Sequence, residues 1–133
     1  MKIILTTILL VSASCLKADL IGDTIPHLER IESNGNANAV GDNGLAWGIL
    51  QIRKEVIEDV NRFSKIKFTH QDAYSPEHAR AICRIYLQHY CTPIRLGHEP
   101  TMEDLARVWN GGPNGFKKRQ TLAYAIKLSQ LIK

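Results

Sequence analysis

Cysteine is scarce in this chain. Its 133 residues include three, at positions 15, 83 and 91, too few for the disulfide framework that holds many small exported domains together. Cys83 and Cys91 both lie in "AICRIYLQHYC", which reads as one helix. Eight helical residues rise about 12 Å, beyond the roughly 7 Å that a bridged pair of Cα atoms spans, so both are expected to be buried thiols acting as small hydrophobes. Aromatic residues make up only 7% of the chain, and the longest basic run is Lys117-Lys118-Arg119. Without an Arg-rich helix or an aromatic-studded basic face, nucleic acid is not an expected partner. The five histidines have no ligand spacing on a helix face and are expected at the surface or at helix ends, and neither a metal nor an organic cofactor is implied. Repeats and low-complexity linkers are missing too. No apolar run is long enough to anchor stably in a bilayer.

What the sequence does contain fits one globular domain with a real core: 44% hydrophobic and 23% charged residues. The opening "MKIILTTILLVSASCLKADL" has an early lysine, an apolar run from Ile3 to Val11 and then small residues, the layout of a secretory leader. Residues 1–18 are therefore expected to be removed and 19–133 to form the working domain, secreted or periplasmic and monomeric. "SASC" also resembles a lipoprotein cleavage box with Cys15 as the lipid anchor, although Ser12 stands where a larger aliphatic residue is usual. Loss of Lys2 and Lys17 leaves 15 basic residues against 13 acidic, a net charge of +2.

Local punctuation predicts a mainly helical domain. Asp23 or Thr24 can cap a first helix through about Ser33, with Pro26 tolerated in its first turn. A second helix is expected over about Ile52 to Phe63, and Ser75-Pro76 opens a third through about Tyr90. Thr101 with Asp104 resembles a capping box for a fourth, ended by Gly111-Gly112-Pro113, and Thr121 opens the last. Asn43-Gly44, between "NAV" and "LAW", is a type I′ hairpin signal. On the first helix Ile25, Leu28 and Ile31 share one arc at about 100° per residue, and Glu32 projects into it. Partial desolvation would raise that carboxyl's pKa and make it a candidate general acid. A plain helix-end glutamate bonded to a backbone amide or to Arg107 fits the periodicity equally well.

An acid at a helix end, a tight hairpin and "WGILQI" together resemble the lysozyme superfamily, and "LARVWNGGPNG" resembles a late segment of soluble lytic transglycosylases and goose-type lysozymes. The resemblance implies an α+β, predominantly α, lysozyme-like fold with a small β-hairpin beside a catalytic cleft. It also implies Glu32 as general acid acting on the β-1,4 bond of peptidoglycan glycan strands. Ser33 would stiffen the turn that presents Glu32. Gly48 would permit positive φ or close approach of sugar or backbone, and Gln51 would offer its amide to substrate or to a helix start. Asn110 and Tyr124 would contact substrate, with Tyr90 a further candidate. Trp47 and Trp109 read as core. Chicken-type lysozymes carry an acidic residue where this chain has Ala46, so the expected reaction is that of a lytic transglycosylase, forming 1,6-anhydro ends. The alternatives are a hydrolytic muramidase using Asp42 as second carboxylate, or a catalytically silent wall-binding protein.

Overall fold

The computed structural model describes residues 18–133. The leader expected over 1–18, and Cys15 with it, falls outside the described residues apart from Ala18. The described chain is predominantly helical with one two-stranded antiparallel sheet, an α+β arrangement. Helix α1 (Leu20–Ser33) is followed by strands β1 (Val40–Gly41) and β2 (Ala46–Trp47), then α2 (Lys54–Phe63), α3 (Pro76–Tyr90), the single turn α4 (Pro93–Leu96), α5 (Met102–Gly111) and α6 (Leu122–Leu131). Helix α1 packs against α3, α5 and α6, and α2 against α3. Between them lies a core built on Leu28, Leu50, Ile52, Val60, Ile82, Leu87, Leu105 and Val108, all fully buried.

Helix α1 begins earlier than Asp23 because Asp19 caps it. The Asp19 carboxylate accepts from the Gly22 amide at 2.9 Å and pairs with Arg84 of α3, a stronger anchor than Thr24, whose hydroxyl instead donates back to the Leu20 carbonyl. At its other end Asn34 turns left-handed (φ 53°), and its amide with that of Gly35 returns to the Arg30 and Glu29 carbonyls, the usual way of closing a helix. Helices α3 and α5 begin as the sequence implies, on Ser75 with Pro76 in the first turn and on a Thr101–Asp104 capping box. Helix α2 starts two residues late because Ile52 is still extended, exchanging backbone hydrogen bonds with Trp47 at 2.8 and 3.0 Å. Cys83 and Cys91 are free and buried.

In the hairpin, Val40 faces Trp47 and Gly41 faces Ala46. Asn43 and Gly44 take the positive φ expected of them, but Asp42 does so as well (φ 52°). The connection is thus a 3-10 turn over Asp42–Gly44 rather than a two-residue type I′ link. Two expectations about rings need correction. His70 is not a plain surface histidine: its ring stacks on Trp47 at 3.7 Å between centroids, nearly parallel, and its Nε2 bonds the Ile52 carbonyl at 2.7 Å. Trp109 is core on one side only: it packs against the core, yet it is half-buried and lines the open face described below. Gly48, at φ +80°, is pressed so close to the Ala73 backbone that a Cβ would collide with its carbonyl oxygen. Gly48→Ala is expected to lower stability by at least about 2 kcal/mol, read from the thermal midpoint. An unchanged midpoint would show that the contact can relax.

Candidate functional site

Glu32 sits in the last turn of α1, one turn beyond the fully buried Leu28. Tyr124 of α6 donates its phenol to Glu32 Oε1 at 2.8 Å. Burial pushes the Glu32 carboxyl up to about 7, against the opposing pull of the Tyr124 hydrogen bond and the Lys127 charge. The same surroundings act on its neighbours. Burial, then the Glu32 charge, raise the Tyr124 phenol; burial and the charges of Glu32 and Glu29 raise the Cys83 thiol. Arg107, the sequence-level alternative partner for Glu32, is occupied elsewhere by Thr121 and the Lys118 carbonyl.

Glu32 opens into a cleft of about 270 Å³ lined also by Asp42, Ala46, Gln51, Arg53, Val56, Trp109 and Asn110. Asn110 arrives from the end of α5, where the glycines that follow stop the helix. Asp42 reaches the cleft rim but is not an unengaged carboxylate, since Arg53 pairs with it. Gln51, itself at positive φ, donates its amide to the Ala39 and Gly48 carbonyls at 3.2 and 3.0 Å. It braces the hairpin from inside, a role neither expectation named. Ser33 donates to the Ile49 carbonyl at 2.7 Å, tying the end of α1 to the strand region. Gly48 takes a positive φ and lies close against the Ala73 backbone. Of the expected site residues the fold therefore brings Glu32, Asp42, Gln51, Asn110 and Tyr124 together, with Ser33 and Gly48 as supports.

Sequence reasoning missed Arg53 and Val56, and it missed that the cleft continues. A groove of about 820 Å³ shares Arg53, Val56, Trp109 and Asn110 with the cleft and runs on past Tyr86 and Tyr90 to Pro113. Its rings meet edge to face, Tyr86–Trp109 at 5.6 Å and Tyr86–Tyr90 at 4.8 Å. The far edge carries Glu55, Glu58 and Asp59 of α2, and Asp59 accepts from the Tyr90 hydroxyl. The four-residue spacing of Tyr86 and Tyr90 on α3 was the available signal, since it puts both on one helix face. No group of three or more His, Cys, Asp or Glu among the described residues could hold a metal ion.

No protein-family model matches the chain, and no curated protein matches it either. Among solved structures it is similar to a chain of the crystal structure of Aeromonas hydrophila PliI in complex with Meretrix lusoria lysozyme, at 26% identity and a TM-score of 0.70, over 86% of this chain and 94% of that one. The likeness is lysozyme-related, and it does not extend to soluble lytic transglycosylase or goose-type domains in particular.

These findings correct the activity read from the sequence. The similar chain belongs to a lysozyme–inhibitor complex, an assembly of one protein on another. The likeness does not support a peptidoglycan-cleaving glycosidase, whether as lytic transglycosylase or as hydrolase. Nor does it support glycan strands as the partner. The silent, wall-binding alternative is only loosely related to that complex, which joins two proteins. The physical reason for the misreading is that an acid at a helix end, a hairpin and a glycine-rich turn describe a cleft, and a cleft alone does not fix what enters it.

The Glu32 environment has a consequence for stability whatever the partner. The folded value, about 7, lies above the reference 4.5, so Glu32 contributes stability that is fully present below about 4.5 and is lost as pH rises through about 7. At pH 8 the charged, buried carboxylate should cost on the order of 3 kcal/mol relative to pH 4. Glu32→Gln is accordingly expected to raise the thermal midpoint at pH 8 and leave it nearly unchanged at pH 4. Parallel midpoint-against-pH curves for the two proteins would contradict this.

Proposed function

We propose that this chain works by recognising another protein, as one partner of a lysozyme–inhibitor type complex, through the Glu32 cleft and its adjoining groove. The observation that carries this reading is the likeness, over 86% of the chain, to a component of a crystallised complex between PliI and a lysozyme. The face itself supports it. Half-buried Trp109 and Tyr90 flank the buried Tyr86 as an aromatic floor, and exposed polar side chains from α2 rim it. Aromatic anchors inside a polar rim are the usual anatomy of a protein interface. Beside the cleft the hairpin exposes Val40 at 57% and Leu45 at 53%, apolar surface that a seated partner would cover.

Glu32 is the polar anchor in this reading. Half-protonated near neutral pH, it offers a partner a hydrogen-bond donor at the base of the cleft, and exclusion of water by that partner favours the neutral form further. The complex forms outside the cytoplasm, in keeping with the leader-like residues 1–18. None of the described helices is long and apolar enough to cross a membrane.

Calorimetric titration of the purified 19–133 domain against Aeromonas hydrophila PliI and, separately, against Meretrix lusoria lysozyme tests the reading and identifies the kind of partner. One of the two is expected to bind with Kd of about 1 μM or tighter. Trp109→Ala should weaken that binding at least about tenfold. Failure of both proteins to bind at concentrations of about 100 μM would refute the proposal. Affinity should also fall between pH 6 and pH 8, by roughly threefold or more, and Glu32→Gln should flatten that dependence. A slope that survives the substitution would remove Glu32 from the interface.

A further inference from the structure

Thr121 stands just before α6, in a 3-10 turn over Arg119–Thr121, and is 1% exposed. A threonine there would ordinarily cap the helix that follows. Its backbone is already helical (φ −85°, ψ −5°) and its side chain caps nothing. Instead the hydroxyl accepts from Arg107 Nε at 2.8 Å and donates to the Gly115 carbonyl at 2.7 Å, with the Lys118 carbonyl at 2.8 Å. Arg107, on α5, has a side chain only 15% exposed, and its Nη2 donates to the Lys118 carbonyl at 3.0 Å. A guanidinium taken this far out of water needs such fixed acceptors.

The packing around the pair is as close as the bonding. A Cβ on Gly111 would run into the Thr121 methyl group, and one on Gly115 would run into the Arg107 carbonyl. Asn110, on the cleft wall, immediately precedes Gly111. On the other side, Tyr124 follows Thr121 by three residues, about one turn of α6, and its phenol is the hydrogen-bond partner of Glu32. The last turn of α5 and the first turn of α6 are thus both referenced to one side-chain pair.

We infer that Thr121 and Arg107 are positioning residues that lock the start of α6 onto the end of α5, and so set how deeply Tyr124 holds Glu32 in the cleft wall. The groups that face Glu32 are Tyr124 and Lys127 from α6, Cys83 from α3, and Asp42 and Arg53 from the hairpin side of the cleft. Only the first two ride on α6. A loosened α6 start therefore withdraws the Tyr124 hydroxyl and admits water to the carboxyl. Water has the larger effect, because burial is the chief cause of the raised titration. The consequence for affinity rests on the protein-recognition reading; the consequence for Glu32 does not.

The test follows the side-chain carboxyl of Glu32 by carbon-13 NMR through a pH titration, its signal assigned with Glu32→Gln. Thr121→Ser, which keeps the hydroxyl, should titrate like wild type. Thr121→Val, which keeps the shape and loses the hydroxyl's hydrogen bonds, should lower the Glu32 midpoint by on the order of one pH unit. A folded Thr121→Val protein with an unshifted midpoint overturns the inference, since a purely structural threonine would change the melting temperature alone. If Thr121→Val does not fold, Arg107→Lys decides: it keeps the charge but not the fork of donors, and an unshifted Glu32 midpoint there overturns the inference equally. Binding by the two test proteins is scored separately. Lack of binding by the wild type would refute the recognition reading and leave the midpoint result standing, whereas normal binding with an unshifted midpoint would refute only the positioning pair.

Discussion

The hydrogen bond from Tyr124 to Glu32 joins the last turn of α1 to α6, and the rest of the cleft is arranged around what it protects. Three influences act on the Glu32 carboxyl, and two of them, the phenol and the Lys127 charge, favour the ionised form. They lose. Removal from water outweighs both and carries the titration up to about 7, as desolvation does when a carboxyl has no full counter-charge in contact. The outcome requires that the elements around α1 stay packed: α3 with Cys83 behind the acid, α5 with Trp109 and Asn110, and α6 with Tyr124. A change in any of these acts on Glu32 through water access before it acts through direct contact.

The opposite lip is held by other means. Two-residue strands cannot support a hairpin alone, and here local devices supply the rigidity. Ser33 fastens the strand region to α1, Gln51 spans the hairpin with two bonds from one amide, and His70 stacks on Trp47 while bonding Ile52. The tryptophan's own indole N–H goes to the Gly44 carbonyl at 2.8 Å. With Arg53 holding Asp42 at the tip, the lip is a preformed wall. A partner docking on it loses little conformational freedom of the wall, which is the condition under which modest contact area yields useful affinity.

How much of this was legible in the sequence depended on how local the deciding interaction was. Ser75-Pro76 and the Thr101–Asp104 box decided their helix starts within four residues, and both helices begin where those signals stand. The face shared by Ile25, Leu28 and Glu32 likewise followed from period alone. Errors came where a distant residue intervened. Asp19 won the start of α1 with the help of Arg84, far along the chain; Ile52 stayed extended because Trp47 offered it backbone partners; His70 found a ring to stack on. Thr121 looked like a helix cap and is instead the acceptor for Arg107. In each case a weak local propensity yielded to a contact with a residue outside the local stretch.

The activity was misread for a different reason. A carboxyl near 7 in a walled cleft is suited to giving up a proton, and it is equally suited to holding one as a hydrogen-bond donor toward a bound protein. The two uses share the same burial, the same Tyr124 contact and the same approach past Trp109, so residue types at the right spacing describe both. They diverge only in what completes the site. A two-carboxylate hydrolysis asks for a second, unengaged acid, and Asp42, the other carboxylate of the cleft, is engaged by Arg53 at the rim. Recognition asks for continuous surface. The shared wall of Arg53, Val56, Trp109 and Asn110 joins the cleft to a groove of about 820 Å³ with an aromatic floor, so the surface that a protein partner needs is present on the same face as the acid.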